Sequence, residues 1–251
     1  PCKKLHGCYR QLKMKDMLKR KTVSAFGLMM LLSIFCWACT SESYDTGDGS
    51  LSYMCADFVE AKTDNEALLS SATTDDGTEI IFQPKVKADW IKTKDSVYRA
   101  LLYYNKVEDK TTTKAIAVKQ VLVPKVLGKS KAAASTVTYP EDPVTFEAAW
   151  MSANKRYINL SLYIKIGSKD GKIGTQSLGM LHYETVELQS GAKLYRLKLL
   201  HDQNKVPEYY STQVYISIPM YRLPFELTAG DKVEIGVNTY KGFVSREFDV
   251  E

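Results

Sequence analysis

An all-β fold, a small barrel followed by an immunoglobulin-sized sandwich, is predicted by three observations. After residue 50 the apolar residues recur with period two, and no stretch sustains a helical stripe over three turns. Gly- and Asp-containing tetrads punctuate these runs at the places where chain reversal needs them. A Lys/Ala/Ser-rich stretch bounded by prolines divides the pattern into two blocks.

Residues 1–38 read as an upstream segment and an export signal. They hold eight of the 34 basic residues and one of the 29 acidic ones, so 39–251 carries 26 against 28, a net of −2. The formal charge of +5 therefore belongs to the front end. Lys19, Arg20 and Lys21 precede an uncharged run, 22–38, with Phe26 to Phe35 at its apolar centre. A cationic region, an apolar region and small residues before a cut form a signal peptide. The competing reading is a transmembrane anchor, for which this run at about 1.5 Å per residue falls just short of a ~30 Å hydrocarbon core. Met14 and Met17 offer starts, leaving 1–13 upstream.

Cys39 follows directly, in Cys36-Trp37-Ala38-Cys39-Thr40-Ser41, and the arrangement resembles a bacterial lipobox. Ala38 fits that pattern, whereas Trp37 and Cys36 replace its usual smaller residue and leucine. A lipidated Cys39 would carry several acyl chains, enough for stable anchoring at roughly 0.8 kcal/mol per buried CH₂. Residues 39–50 are then a polar tether. Of the five cysteines only Cys55 would remain in the mature fold, which leaves no intramolecular disulfide. It lies within a strand pattern and reads as a small buried hydrophobe.

The first β block spans 51–123. Alternation is weak at 97–105 and 115–123, and Asp75-Asp76-Gly77 separates a strand ending near Thr73 from Glu79-Ile80-Ile81-Phe82. Residues 124–143 read as a linker, since 125–134 is rich in Lys, Ala, Gly and Ser and Pro140-Glu141-Asp142-Pro143 interrupts regular pairing.

The second block, 144–251, alternates most clearly at 157–166. Ile158, Leu160, Leu162, Ile164 and Ile166 share one face, and Tyr157, Asn159, Ser161, Tyr163 and Lys165 the other. Val214, Ile216 and Ile218 repeat the pattern, as do Val233, Ile235 and Val237. Lys169-Asp170-Gly171-Lys172, Ala229-Gly230-Asp231 and Tyr240-Lys241-Gly242-Phe243 are its turns.

Two groups of residues carry a family resemblance. The first block has Asp76-Gly77-Thr78-Glu79-Ile80-Ile81-Phe82 and Lys94-Asp95-Ser96-Val97-Tyr98-Arg99-Ala100-Leu101-Leu102-Tyr103-Tyr104-Asn105. The second has Phe146-Glu147-Ala148-Ala149-Trp150 and Tyr157-Ile158-Asn159-Leu160-Ser161-Leu162. In strand pattern and aromatic anchors they resemble the NigD-like lipoproteins of Bacteroidetes. That resemblance implies a lipid-anchored protein with an N-terminal OB-like domain and a C-terminal β-sandwich. It also implies a bacteriocin-associated setting, hence immunity or envelope binding, and carries no catalytic residues with it.

Chemistry-bearing motifs are sparse. His182 and His201 stand apart in the chain and read as surface or turn residues. No zinc-ligand spacing or Gly-x-Ser-x-Gly elbow accompanies them. Gly128-Lys129-Ser130 lacks the earlier glycine of a phosphate loop, because position 123 is valine. The Asp-Gly turns lack the ligand series of a calcium loop. A net charge of −2 offers no cationic groove for nucleic acid. The expectation is a non-enzymatic protein without cofactor or metal, anchored in the cell envelope at its outer membrane. Its partners are the membrane through Cys39 and an unknown protein, peptide or glycan. A bacteriocin-immunity role is the alternative, and a glycan-active hydrolase a third reading. Tyr157, Asn159 and Tyr163, on the outward face of the 157–166 strand, are the candidate ligand contacts, since rings with an amide between them suit a flat polar ligand.

Overall fold

The computed structural model describes residues 54–105, 111–128, 139–169 and 171–251. The export signal, Cys39, the tether and the centre of the expected linker lie outside the described residues. No helix among these residues is long and apolar enough to cross a membrane.

The first block is a single curled sheet. Its strands are β1 (Met54–Thr63), β2 (Leu69–Thr74), β3 (Glu79–Val86), β4 (Val97–Asn105), β5 (Thr112–Thr113) and β6 (Ala115–Gln120). They are ordered β5-β3-β2-β1-β4-β6 in an OB-like half-barrel. Val59, Ala61, Leu69, Ala72, Ile80, Phe82, Ala100 and Leu102 fill its inner face, and Ile91 from the 87–96 segment packs into them. The hydroxyl of Tyr98 holds that segment by accepting from the amides of Lys92 and Thr93, at 3.2 and 2.9 Å.

The second block is a sandwich of two sheets. After β7 (Val126–Leu127), the chain forms β8 (Thr145–Met151), β9 (Tyr157–Ile166), the short hairpin β10 (Ser168–Lys169) and β11 (Lys172–Ile173), then β12 (Ser177–Glu187) and β13 (Lys193–Asp202). β14 (Tyr210–Pro219), β15 (Lys232–Thr239) and β16 (Gly242–Asp249) complete it. One sheet is ordered β14-β9-β8 and the other β16-β15-β13-β12-β7. Between them lies a core of Ile158, Leu160, Leu162 and Ile164 from β9, Ile216 and Ile218 from β14, and Val233, Ile235 and Val237 from β15. These are the period-two residues of the sequence, each nearly or wholly buried. Three of the expected turns also form, and the tightest joins β15 to β16 through Tyr240 and Lys241, with Gly242 at φ +110°.

Two expectations about strand faces and block boundaries need correction. The first is the outward face of β9. The alternation holds, but the first part of this face does not meet water: the half-barrel lies on it, so that Tyr157, Asn159 and Ser161 are as buried as the core, while Tyr163 and Lys165 are half-buried. Both faces of β9 are covered, as are both faces of β4, where Arg99, Ala100, Leu101 and Leu102 are buried in succession. Double burial accounts for the weak alternation at 97–105. The second concerns the linker at 124–143, whose ends belong to the sandwich. Val126 and Leu127 pair in parallel with Met180 and Leu181 of β12. Asp142 and His201 are joined by backbone bonds, with the Asp142 amide donating to the His201 carbonyl at 2.9 Å and the His201 amide donating to Pro140 at 3.1 Å.

The crossing between blocks is itself hydrogen-bonded. The Val121 amide donates to Arg99 of β4 at 3.2 Å, and the next amide, Leu122, donates to Tyr215 of β14 at 3.1 Å. The described residues accordingly pack as one compact unit.

Leu160→Ala should destabilise the protein by about 2–5 kcal/mol, because a fully buried leucine leaves a cavity. Tyr163→Ala, at the half-exposed end of the same strand, should cost far less; equal losses in urea unfolding would contradict this assignment of faces.

Candidate functional site: the cleft where the two blocks meet

The site is built from three segments. From β1 come Ala56, Asp57 and Phe58; from the β2–β3 turn Thr74, Asp75 and Asp76; from the end of β8 Trp150, Ser152 and Ala153. Together they line a cleft of about 260 Å³.

The turn is shaped by its own side chains. The Gly77 amide donates to the Thr74 carbonyl at 3.0 Å, and Gly77 adopts φ +89°, a left-handed conformation that favours glycine. The Thr78 amide donates to Thr74 Oγ1 at 2.9 Å and to Asp76 Oδ1 at 3.0 Å, while the Thr74 hydroxyl also bonds Asp76. Held this way, the turn presents Asp75 to Arg99, whose Nη1 and Nη2 donate to the two carboxylate oxygens at 2.6 and 2.7 Å. The Arg99 side chain is 1% exposed and Asp75 17%.

Arg99 is surrounded on its other sides by the sandwich. Its Nε donates to Ser217 Oγ at 3.1 Å, and Nη2 reaches Asn159 Oδ1 at 3.4 Å. Ser217 Oγ in turn donates to Asn159 Oδ1 at 2.6 Å. The guanidinium lies 4.1 Å from the Tyr157 ring centroid and 5.3 Å from that of Phe58. Phe58 also meets Trp150 and Tyr215 edge-on, at 5.5 and 5.4 Å between centroids. Beside this cluster Glu60 Oε1 accepts from the Tyr157 hydroxyl at 2.7 Å and from Arg156 Nε at 3.1 Å. Burial pushes the Tyr157 phenol far above its ordinary range, aided by its hydrogen bonds with Tyr221 and Glu60.

Of the candidate ligand contacts, the structure brings Tyr157 and Asn159 together around Arg99 and leaves Tyr163 apart. Burial removes the first two from direct contact with a dissolved ligand. Tyr163 is half-buried, and its hydroxyl donates to Glu147 at 3.4 Å. Ser161, Gln213 and Tyr163 converge on Glu147 and hold its carboxyl below the usual range, Ser161 contributing most.

The histidines are interior residues, not surface ones. His182 packs 4.6 Å from the Phe225 ring centroid, with Nε2 2.8 Å from Thr185 Oγ1. His201 is 2% exposed and bonded through both ring nitrogens. Neither lines the cleft. The Cys55 thiol is partly buried and donates to the Tyr104 carbonyl at 3.4 Å. Among the described residues no three His, Cys, Asp or Glu side chains stand together as a metal site. Sequence reasoning missed Arg99, Phe58 and Trp150 as one cluster; the available signal was an arginine in the middle of an apolar strand, Val97 to Asn105.

A curled six-stranded sheet packed on a β-sandwich, with a cleft at the seam, defines a class of two-block all-β proteins. Residues 127–250 match the NigD-like C-terminal beta sandwich domain, so the second block of this chain is NigD-like. A NigD-like immunity protein from Bacteroides caccae shares the fold with a TM-score of 0.58 at 16% identity, over 78% of this chain and 98% of that one. A candidate toxin-related protein from Parabacteroides distasonis gives 0.58 at 16% identity, over 79% and 93%. A candidate lipoprotein from Bacteroides fragilis gives 0.53 at 14% identity, over 79% and 97%. At these identities the likeness is one of fold, and its coverage takes in the half-barrel as well as the sandwich. Curated protein sequences provide no match.

Arg99→Ala should cost about 3–5 kcal/mol, because it strands Asp75 and the buried polar groups of Asn159 and Ser217. Arg99→Met combined with Asp75→Asn removes both charges while keeping volume, and should recover most of that loss. Trp150 fluorescence during urea unfolding reads both variants; a double variant as weak as Arg99→Ala would show that the ion pair itself is not the seat of the effect.

Proposed function

We propose that this is a non-enzymatic, lipid-anchored protein of the cell envelope that binds a partner through the seam cleft, taking a basic side chain or amine of a protein or peptide. The cleft carries the reading. At about 260 Å³ it is below the size of a typical small-molecule pocket and suits one side chain. Its walls combine the Phe58 and Trp150 rings with the carboxyl of Asp76, a lining that favours a cation, while Asp75 gives both its carboxylate oxygens to Arg99. Asp57 also lines it, although one of its carboxylate oxygens accepts from the Tyr104 hydroxyl at 2.9 Å.

Three further observations support the reading. Cys39 directly follows the apolar run of a signal peptide, and a candidate lipoprotein shares the fold. Anchorage at the outer membrane places the β unit at the end of a short polar tether. Both histidines are engaged within the fold and away from the cleft, where they cannot serve as its general acid or base. The mature charge of −2 favours a protein or peptide partner over nucleic acid. An immunity role, the one named for the Bacteroides caccae relative, is a second reading that uses the same cleft.

Two experiments test the proposal. Cys39→Ala should abolish incorporation of a fatty-acid label in cells, and retained label would end the lipid-anchor reading. An arginine-containing tripeptide titrated into the labelled protein should shift the Trp150 indole signal, whereas the citrulline version should shift it several-fold less. Asp76→Asn should weaken the arginine response by about threefold to tenfold, the scale of a surface-accessible charge contact. Identical responses to the two peptides would refute a cation-binding cleft.

A further inference from the structure

The first strand of the half-barrel starts beside a small apolar surface. Met54, which opens β1, is 45% exposed, and Ile116 of β6 is 43% exposed. Strand register brings them close. Met54 pairs with Asn105 at the end of β4, and the preceding Tyr104 and Tyr103 pair with Ala115 and Ala117 of β6. Ile116 is the extra residue of the bulge between those two pairs. Tyr103 is half-buried and its partner Ala117 exposed. Lys119 Nζ stands 5.2 Å from the Tyr103 ring centroid, and Lys114, just ahead of β6, is exposed. Neither lysine takes part in an ion pair among the described residues.

Aliphatic side chains, a tyrosine and unpaired lysines on one surface match the headgroup boundary of a bilayer. There an aromatic ring with a polar tip sits at the interface, and a lysine stem lies along apolar surface while its ammonium reaches the phosphates. A patch of this size holds a free protein only weakly. Chain connectivity alters that. Met54 follows Cys39 by fifteen residues, which even fully extended at about 3.5 Å each span no more than roughly 50 Å. A surface tethered at such range is met at an effective concentration on the order of millimolar, so weak contacts suffice to keep it occupied.

We infer that the surface formed by Met54, Tyr103, Ile116 and Lys119 rests on the membrane that holds the anchor, and thereby presents the seam cleft at the lipid surface. The inference rests on the lipid-anchored reading given above. Period two puts Met54 on the same face of β1 as Ala56 and Phe58, both of which line the cleft. Ala56 is two residues along the strand, about 7 Å from Met54. The partner that reaches the cleft is accordingly one displayed at the membrane, not one met far out in solution.

Depth-dependent quenching tests this on the lipidated full-length protein. In a Cys55→Ser background, Ala117→Cys carries an NBD fluorophore in the patch, and Ser190→Cys, exposed in the turn between β12 and β13, carries it elsewhere. The proteins are reconstituted into vesicles of phosphatidylcholine and phosphatidylglycerol containing headgroup spin-labelled phosphatidylcholine. Quenching at position 117 should be at least threefold stronger than at position 190. Ile116→Glu combined with Lys119→Glu changes two exposed side chains, so urea unfolding should stay the same while the difference between labels disappears. Equal quenching of the two labels on protein that floats with the vesicles would overturn the inference and leave the patch to another occupant, such as a second copy. Protein that fails to float has no acyl anchor, an outcome that overturns both the inference and the lipid-anchored reading.

Discussion

Most of what is specific to this structure depends on burying one guanidinium between two sheets. A cation removed from water needs its donors satisfied and a counter-charge in place, or its desolvation outweighs what the packing contributes. Arg99 has both: a two-pronged contact with Asp75, neutral acceptors on Ser217 and Asn159, and aromatic faces beside the guanidinium. Lysine could not replace it, since an ammonium has no planar fork to match a carboxylate edge. The demands of that one group extend outward. The Gly77 turn must place Asp75, and the register of three strands must align Trp150, Asn159 and Ser217 in one row. A one-residue slip of β9 would present Ile158 to the guanidinium in place of Asn159.

The same burial explains what could be read from the sequence and what could not. Period two correctly assigned Ile158, Leu160, Leu162, Ile216, Ile218, Val233 and Ile235 to one core, and the all-β class and turns followed from it. It sorted Tyr157, Asn159 and Ser161 onto the opposite face just as correctly. The error lay in equating polar with wet. Alternation reports which side chains share a face and says nothing of what covers it. A seam made of hydroxyls, amides and one ion pair has the composition of a solvated surface. The histidines were misplaced for a related reason: their partners, Gln176 and Thr185 among them, become neighbours only when strands pair or bulge.

The cleft was invisible for a different reason. Its walls come from residues near 57, 75 and 151, and no local spacing connects them. What the sequence did contain was each wall separately: a turn tetrad, a strand with an aromatic, and Trp150 at the close of the block's first strand. The family likeness joined the segments carrying Asp76 and Trp150 to one fold, and the sandwich model together with the solved relatives establishes that fold.

The short strand β7 bears on where one half of this molecule ends and the other begins. Val126 is 5% exposed and belongs to the core of the sandwich, yet it precedes β8 by almost twenty residues and follows directly on the half-barrel. A fragment beginning at Val144 would lack an outer strand of the larger sheet and would bare the backbone edge of β12. The sandwich therefore borrows a piece of itself from the chain ahead of it. During synthesis that piece must wait, already emerged, until β12 arrives more than fifty residues later.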